Sequence, residues 1–146
     1  MFDIYLTDES VPDLKPGDRA VYGKIRIDDY QETFVASLVF WSPAQYQRHW
    51  ETSLRRIVAG GDRSALITSY VEPAPGGFLY WWPLFREGQT VHLQNQMLFF
   101  DQLNKPFSSE SPWDSVRNRE IVNAQGRQIS EWVTTVESIR EFLSRK

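Results

Sequence analysis

The sequence predicts an α+β domain built mostly from antiparallel strands, and three observations carry that expectation. β-rich runs occupy the front and middle of the chain, and amphipathic helical spacing occurs in two places. Strands and helices do not alternate regularly, as a doubly wound nucleotide-binding fold would require. A length of 146 residues, with 41% hydrophobic and 24% charged residues, fits one globular domain over 1–146.

Phe2–Leu6 reads as a short opening strand, and the Asp/Pro/Gly-rich stretch Thr7–Asp18 as a loop. Val21–Ile27 alternates apolar with polar residues, the period of a half-buried strand. Asp28-Asp29 interrupts it, and Phe34–Phe40 forms a second β-rich run that pairs with the first as a hairpin. Ser42-Pro43 supplies a helix start, with Ser as N-cap and Pro in the first turn. Tyr46, Trp50, Leu54 and Ile57 or Val58 then recur as one apolar stripe, and Gly60-Gly61 ends a helix over residues 43–59.

Ser64–Tyr70 is the next strand, followed by a turn at Pro73-Ala74-Pro75-Gly76-Gly77. Phe78–Phe85 is almost wholly apolar, as a central strand covered on both faces should be, although Pro83 points to an edge position or a bulge. Glu87-Gly88 turns the chain into Thr90–Phe100, where Val91, Leu93, Met97 and Phe99 alternate, giving a three-stranded meander from 64 to 100. Residues 101–116 read as a long loop, and 117–122 with 129–134 as a hairpin around Asn123–Gly126. A last helix begins near Thr134, whose spacing to Glu137 fits a capping box, with Val136, Ile139, Phe142 and Leu143 as its apolar face.

The inventory of reactive groups argues against an enzyme. Cysteine is absent, which removes disulfides, thiolate metal sites and a cysteine nucleophile. The two histidines, His49 in the first helix and His92 on a strand, stand at no metal-binding spacing. Gly60-Gly61-Asp62-Arg63-Ser64 follows a helix and lacks the Gly-Lys-Ser/Thr ending, so it is a helix stop and not a phosphate loop. No Gly-x-Ser-x-Gly elbow is present. Asp28, Asp29 and Glu32 are paired carboxylates in principle, but their position at a turn is that of solvated acids. Arg55, Arg56 and Arg63 form a small basic region in which Arg55 and Arg56 fit a solvated helix face, and Tyr80-Trp81-Trp82-Pro83 fits core or cross-strand packing, with any exposed Trp a candidate interface anchor. No catalytic residue, metal or cofactor is expected. The absence of a run of about 20 apolar residues or of a secretory signal points to a cytoplasmic protein without a membrane anchor.

A binding module is the class that remains. Aromatic residues make up 14% of the chain, and such side chains are favoured interface anchors. Residues 1–40 hold eight acids against four bases, and the other 106 hold eleven against twelve, so the net charge of −3 originates at the front. That balance repels nucleic-acid phosphates and suits a basic protein partner.

In whole motifs the chain resembles the CdiI immunity proteins of bacterial contact-dependent growth inhibition, of the Enterobacter type. The resemblance runs from Ile27-Asp28-Asp29-Tyr30-Gln31-Glu32 through Ser53-Leu54, Ser64–Ser69, Phe78–Leu84, Val91–Gln96 and Leu98-Phe99-Phe100 to Ile129-Ser130-Glu131-Trp132 and a closing helix. It covers residues 20 to 144, and the collinear order of these elements carries it. It implies a small cytoplasmic protein that binds the toxic C-terminal domain of its sibling CdiA and occludes it. It further implies that the toxin is an rRNA-cleaving nuclease and that the fold is Whirly-like. On that reading the toxin contacts fall on Asp28, Asp29 and Glu32, with Tyr30 as aromatic anchor and Asp13 and Asp18 as secondary contributors. Trp132 and Asn95 are expected to be structural. Two other readings stay open: a single-stranded nucleic-acid-binding module, against which the net charge argues, and a small enzyme with a pocket around a histidine.

Overall fold

A computed structural model of the chain describes residues 1–71 and 76–146. Within them the order is β1 (Phe2–Ser10), β2 (Ala20–Ile27), β3 (Tyr30–Ser37), α1 (Pro43–Val58), β4 (Arg63–Tyr70), β5 (Phe78–Glu87), β6 (Thr90–Gln94), β7 (Gln96–Phe99), β8 (Glu131–Thr135) and α2 (Val136–Ser144). All the strand pairs are antiparallel, so the α+β class expected from the sequence is the class observed. Pro73, Ala74 and Pro75 of the expected turn lie outside the described residues.

The strands divide between two sheets. β1, β2 and β3 form a three-stranded sheet, and β4, β5, β6 and β8 follow one another in a second, with β7 also on β5. The 21–27 hairpin is present, but it closes sooner than expected: Ile27 pairs with Tyr30, leaving Asp28 and Asp29 as a two-residue turn. Asp28 takes a positive φ of 51°, a conformation that Asp tolerates better than most residues. The opening strand also runs further, to Ser10, after an irregular register beyond Leu6.

α1 starts as its residues dictate. The Ser42 hydroxyl accepts from the Gln45 N–H at 3.2 Å, and the Gln45 side chain accepts from the Ser42 N–H at 2.8 Å. Its stripe of Tyr46, Trp50, Leu54 and Ile57 is buried, each aliphatic member contributing about 2 kcal/mol. Gly60 (φ 110°) ends the helix, and the Arg86 guanidinium donates to the Ile57 carbonyl at 2.6 Å, satisfying one of the last turn's orphan acceptors. α1 also covers the outer edge of β4. Trp50 Nε1 donates to the Ile67 carbonyl (2.7 Å), the Ile67 N–H donates to His49 Nε2 (2.8 Å), and the Tyr70 N–H donates to the Tyr46 hydroxyl (2.9 Å). Helix side chains thus stand in for a further strand along an edge that would otherwise be open to pairing.

β5 is the central strand of the larger sheet, between β4 on one side and β6 with β7 on the other, which completes the expected meander. Pro83 corrects one expectation: it lies neither at an edge nor at a register-shifting bulge of its own. β6 and β7 are one strand interrupted at Asn95, and the register on β5 stays in step across the gap. The ladder is missing only opposite Trp82 and Pro83, where proline has no N–H to give. The one shift against β4 falls between Ile67 and Ser69.

Two expectations for the C-terminal third are corrected. Residues 117–122 and 129–134 do not form a two-stranded hairpin: between their backbones there is a Val122–Gln128 bridge and a few turn bonds. The second segment becomes β8, whose Trp132 and Thr134 align with Leu93 and Val91 of β6. Pairing with β6 sets Trp132 and Thr134 beside the buried Leu93 and Val91, whereas Ile121 and Val122 of the 117–122 run stay exposed and offer no buried row to pair against. The last helix is capped one residue later than the Thr134–Glu137 spacing suggests, by Thr135, whose hydroxyl accepts from the Ser138 N–H at 3.0 Å. Its buried Val136, Ile139, Phe142 and Leu143 complete one continuous core with α1 and the inner faces of both sheets.

Candidate interaction surface

Contacts from β3 decide how the two sheets meet. Tyr30 packs on Trp132 of β8 at 4.6 Å between ring centres. The Glu32 carboxylate accepts from the Asn95 amide at 3.0 Å, at the break between β6 and β7. The Ser37 N–H donates to the Ser69 hydroxyl of β4 at 3.1 Å. From Tyr30 to Ser37, therefore, β3 crosses the larger sheet from β8 to β4, and the core lies on one side of that line.

The acidic residues picked out in the sequence fall into two groups. Asp28 and Asp29 are exposed at the β2–β3 turn, with the Met1 amino nitrogen 2.5 Å from the Asp28 carboxylate. Tyr30 and Glu32 follow directly and are half-buried, the Tyr30 hydroxyl donating to Glu32 at 2.7 Å. Burial and the adjacent carboxylate push the Tyr30 hydroxyl up to about 12. These two side chains thus have structural partners of their own: Trp132 of β8 packs on Tyr30 and on Trp82, and Asn95, off the strands at the β6–β7 break, donates to Glu32. Asp13 and Asp18 are exposed in the β1–β2 loop, at the opposite end of β2, whose eight residues span roughly 23 Å. The fold does not bring them together with the Asp28 turn.

The histidines belong to different environments. His49 is buried, and with its Nε2 accepting from the Ile67 N–H, its ring must be neutral, the proton on Nδ1 facing the Ser53 hydroxyl at 3.4 Å. Burial lowers its pKa to about 3. His92 lies on the far side of the larger sheet, its Nδ1 3.2 Å from Glu131 without hydrogen-bond alignment. Arg119 clamps that same Glu131 through two bonds of 2.8 and 2.5 Å and, with help from Gln94, holds its carboxyl below the usual range. This clamp fastens the irregular 117–130 segment to β8. Arg55 and Arg56 are both exposed on α1, as expected of a solvated helix face; Arg56 also donates to the Arg63 carbonyl at 3.1 Å, and Arg63, beyond the helix, bonds the Val116 carbonyl at 3.2 Å and Asn118. No group of three or more His, Asp or Glu side chains converges on a metal-sized point among the described residues, and no helix there is long and apolar enough to cross a membrane.

Sequence reasoning missed one surface. Trp81 and Trp82 are buried as expected, but Tyr80 is 40% exposed, Met97 43% and Phe99 41%. Tyr80 pairs with Met97 and Phe78 with Phe99, so all four project from the same face of the sheet. The alternation from Val91 through Leu93 to Met97 and Phe99 reads as one core-facing row, and it is one, but it runs past the line of β3. The available signal was its length: the row continues beyond the residues that sheet contacts can cover.

Comparison with known proteins places this architecture. The chain is 30% identical over 142 residues to the immunity protein CdiI of Enterobacter cloacae, an alignment covering 97% of this chain and 96% of the relative. Its structure is similar to a chain of the CdiA-CT/CdiI toxin and immunity complex from Enterobacter cloacae, with a TM-score of 0.86, 30% identity and coverage of 99% and 97% of the two chains. A family model described as the CdiI N-terminal domain matches residues 36–142, from the end of β3 to the last turn of α2. With sequence and fold in agreement over nearly the whole chain and the family pattern over residues 36–142, the protein belongs to the CdiI family of immunity proteins.

Proposed function

We propose that this immunity protein binds the toxic C-terminal domain of its cognate CdiA in the cytoplasm of the producing cell and neutralises it by occlusion, with no chemistry of its own. The observation that carries the reading is the likeness, over 99% of the chain, to a structure solved as a toxin and immunity complex. The toxin in this reading is an RNA-cleaving nuclease. Such an enzyme needs a basic face to hold phosphates, and an acidic inhibitor is steered to that face and can substitute carboxylates for phosphates. Asp28 and Asp29 lie exposed on one turn with Tyr30 and Glu32 beside them, and these four are the proposed contacts. Asp13 and Asp18 act as a separate acidic point at the other end of β2.

Co-expression of the chain with the CdiA C-terminal domain encoded upstream tests the proposal. Restored growth and a co-purifying complex are expected. Continued growth arrest with no complex would overturn the reading. Asp28→Asn with Asp29→Asn is expected to lower the association rate several-fold at low salt and little at high salt.

A further inference from the structure

We propose that the ledge formed by Phe78, Tyr80, Met97 and Phe99, beside the outer edge of β3, is the surface on which the toxin domain seats an apolar or aromatic side chain. The inference rests on the toxin-binding reading above and names a surface that the acidic turn alone does not supply.

The ledge is the part of the larger sheet's inner face that β3 leaves uncovered. Contacts of Tyr30 with Trp132, Glu32 with Asn95 and Ser37 with Ser69 trace where β3 crosses the sheet. Val91, Leu93, Trp82 and Leu84 fall on the core side of that line and are buried, whereas Tyr80, Met97 and Phe99 fall beyond it and are exposed. The aromatic rings support one another. Phe78 meets Tyr80 edge-to-face at 5.7 Å and lies tilted against Phe99 at 5.9 Å, so the surface is already ordered before a partner arrives. β3 borders it as an edge strand that pairs, among the described residues, only with β2. A floor of packed aromatics beside a strand edge is a surface shaped for a partner side chain.

Charge selects the occupant. β3, β7 and the Phe78–Trp82 stretch carry no Lys or Arg, while Glu32 stands at one flank and the exposed Asp101 at the other. The Asp101 carboxylate is fixed there, accepting from the Gly76 N–H at 3.1 Å. An apolar floor with an acidic rim matches a partner that offers an apolar side chain among lysines and arginines, as a phosphate-binding nuclease face does.

Titration calorimetry with the cognate toxin domain, its active site disabled by substitution, tests this. The unaltered chain is compared with Tyr80→Ala/Met97→Ala, with Met97→Glu and with a control, Ile121→Ala/Val122→Ala, whose residues are exposed elsewhere. Both ledge variants are expected to weaken binding by about thirtyfold or more, the control by less than threefold, and circular dichroism should show all variants folded. Met97→Glu also separates the causes, because added negative charge would strengthen a purely electrostatic contact and weakens an apolar one. If the unaltered chain binds and the ledge variants bind as well, the ledge inference is overturned while the toxin-binding reading stands. Failure of the unaltered chain to bind or protect would overturn both. Concentration-dependent self-association abolished by Tyr80→Ala/Met97→Ala, with toxin affinity unchanged, would assign the ledge to a second copy and overturn the inference as well.

Discussion

Lowering the pH from 7 to 5 should destabilise this protein through one side chain, His49. Its Nε2 accepts the Ile67 N–H at 2.8 Å inside the α1–β4 contact, and burial holds its pKa at about 3. In the unfolded chain the ring titrates near 6.5. A proton on Nε2 would set N–H against N–H and leave a charge in the core, so between those values the unfolded state binds the proton and the folded state does not. Stability is therefore full above the unfolded value and falls with decreasing pH toward the folded one. Protonating the unfolded ring at pH 5 but scarcely at pH 7 costs about 2 kcal/mol. Urea unfolding followed by tryptophan fluorescence at both pH values measures this directly. His49→Gln, whose amide oxygen can still accept from Ile67, should remove about that difference in pH dependence. An identical pH dependence in the variant would refute the assignment of a neutral, accepting His49.

Other perturbations follow from the same geometry. Glu131→Gln should cost about 2 kcal/mol at pH 7 by breaking the Arg119 clamp, and raise hydrogen exchange in residues 117–130 first. Because Arg119 depresses the Glu131 carboxyl in the folded state, that contribution is present above the usual carboxylate range and is lost as the pH falls below it through the depressed folded value, so the variant's penalty should shrink in acid. Gly23→Ala places a methyl inside van der Waals contact of the Phe34 ring and 3.0 Å from Leu6, and should cost about 1–3 kcal/mol in thermal unfolding, partly recovered by adding Phe34→Leu. Ser42→Ala removes the hydroxyl half of the α1 capping box and should cost about 1 kcal/mol in the same assay.

Local chemistry made α1 legible in advance: cap, proline, apolar stripe and glycine stop all lie within its own residues. The meander was legible for the same reason, since alternation and turn residues are short-range signals. The 117–134 hairpin failed because β8 had a better partner in β6, and no local signal ranks one strand partner above another. Pro83 was misread because the interruption it imposes appears on the neighbouring strand, at Asn95. In the candidate site, the acidic turn at Asp28 and Asp29 could be read from two adjacent residues. Its distance from Asp13 and Asp18 could not, because that depends on β2 being one extended strand. The ledge was hidden for a related reason. Whether Met97 is core or surface depends on where β3 crosses, which is settled by contacts from Tyr30 to Ser37 with three strands distant in the chain.

The packing of α2 bears on how such a protein is made. Phe142 meets Phe2 edge-to-face at 5.6 Å, and the Arg145 side chain reaches the Phe2 carbonyl, so the last helix closes over the first strand. During synthesis β1 emerges well before α2, and the part of its inner face around Phe2 stays open until that helix follows. Translation halted before Val136 yields a polypeptide with an open apolar face, prone to capture by chaperones or proteases. Protection of the cell would then depend on chains carried through α2, and the supply of working antidote would follow the rate at which translation passes that helix.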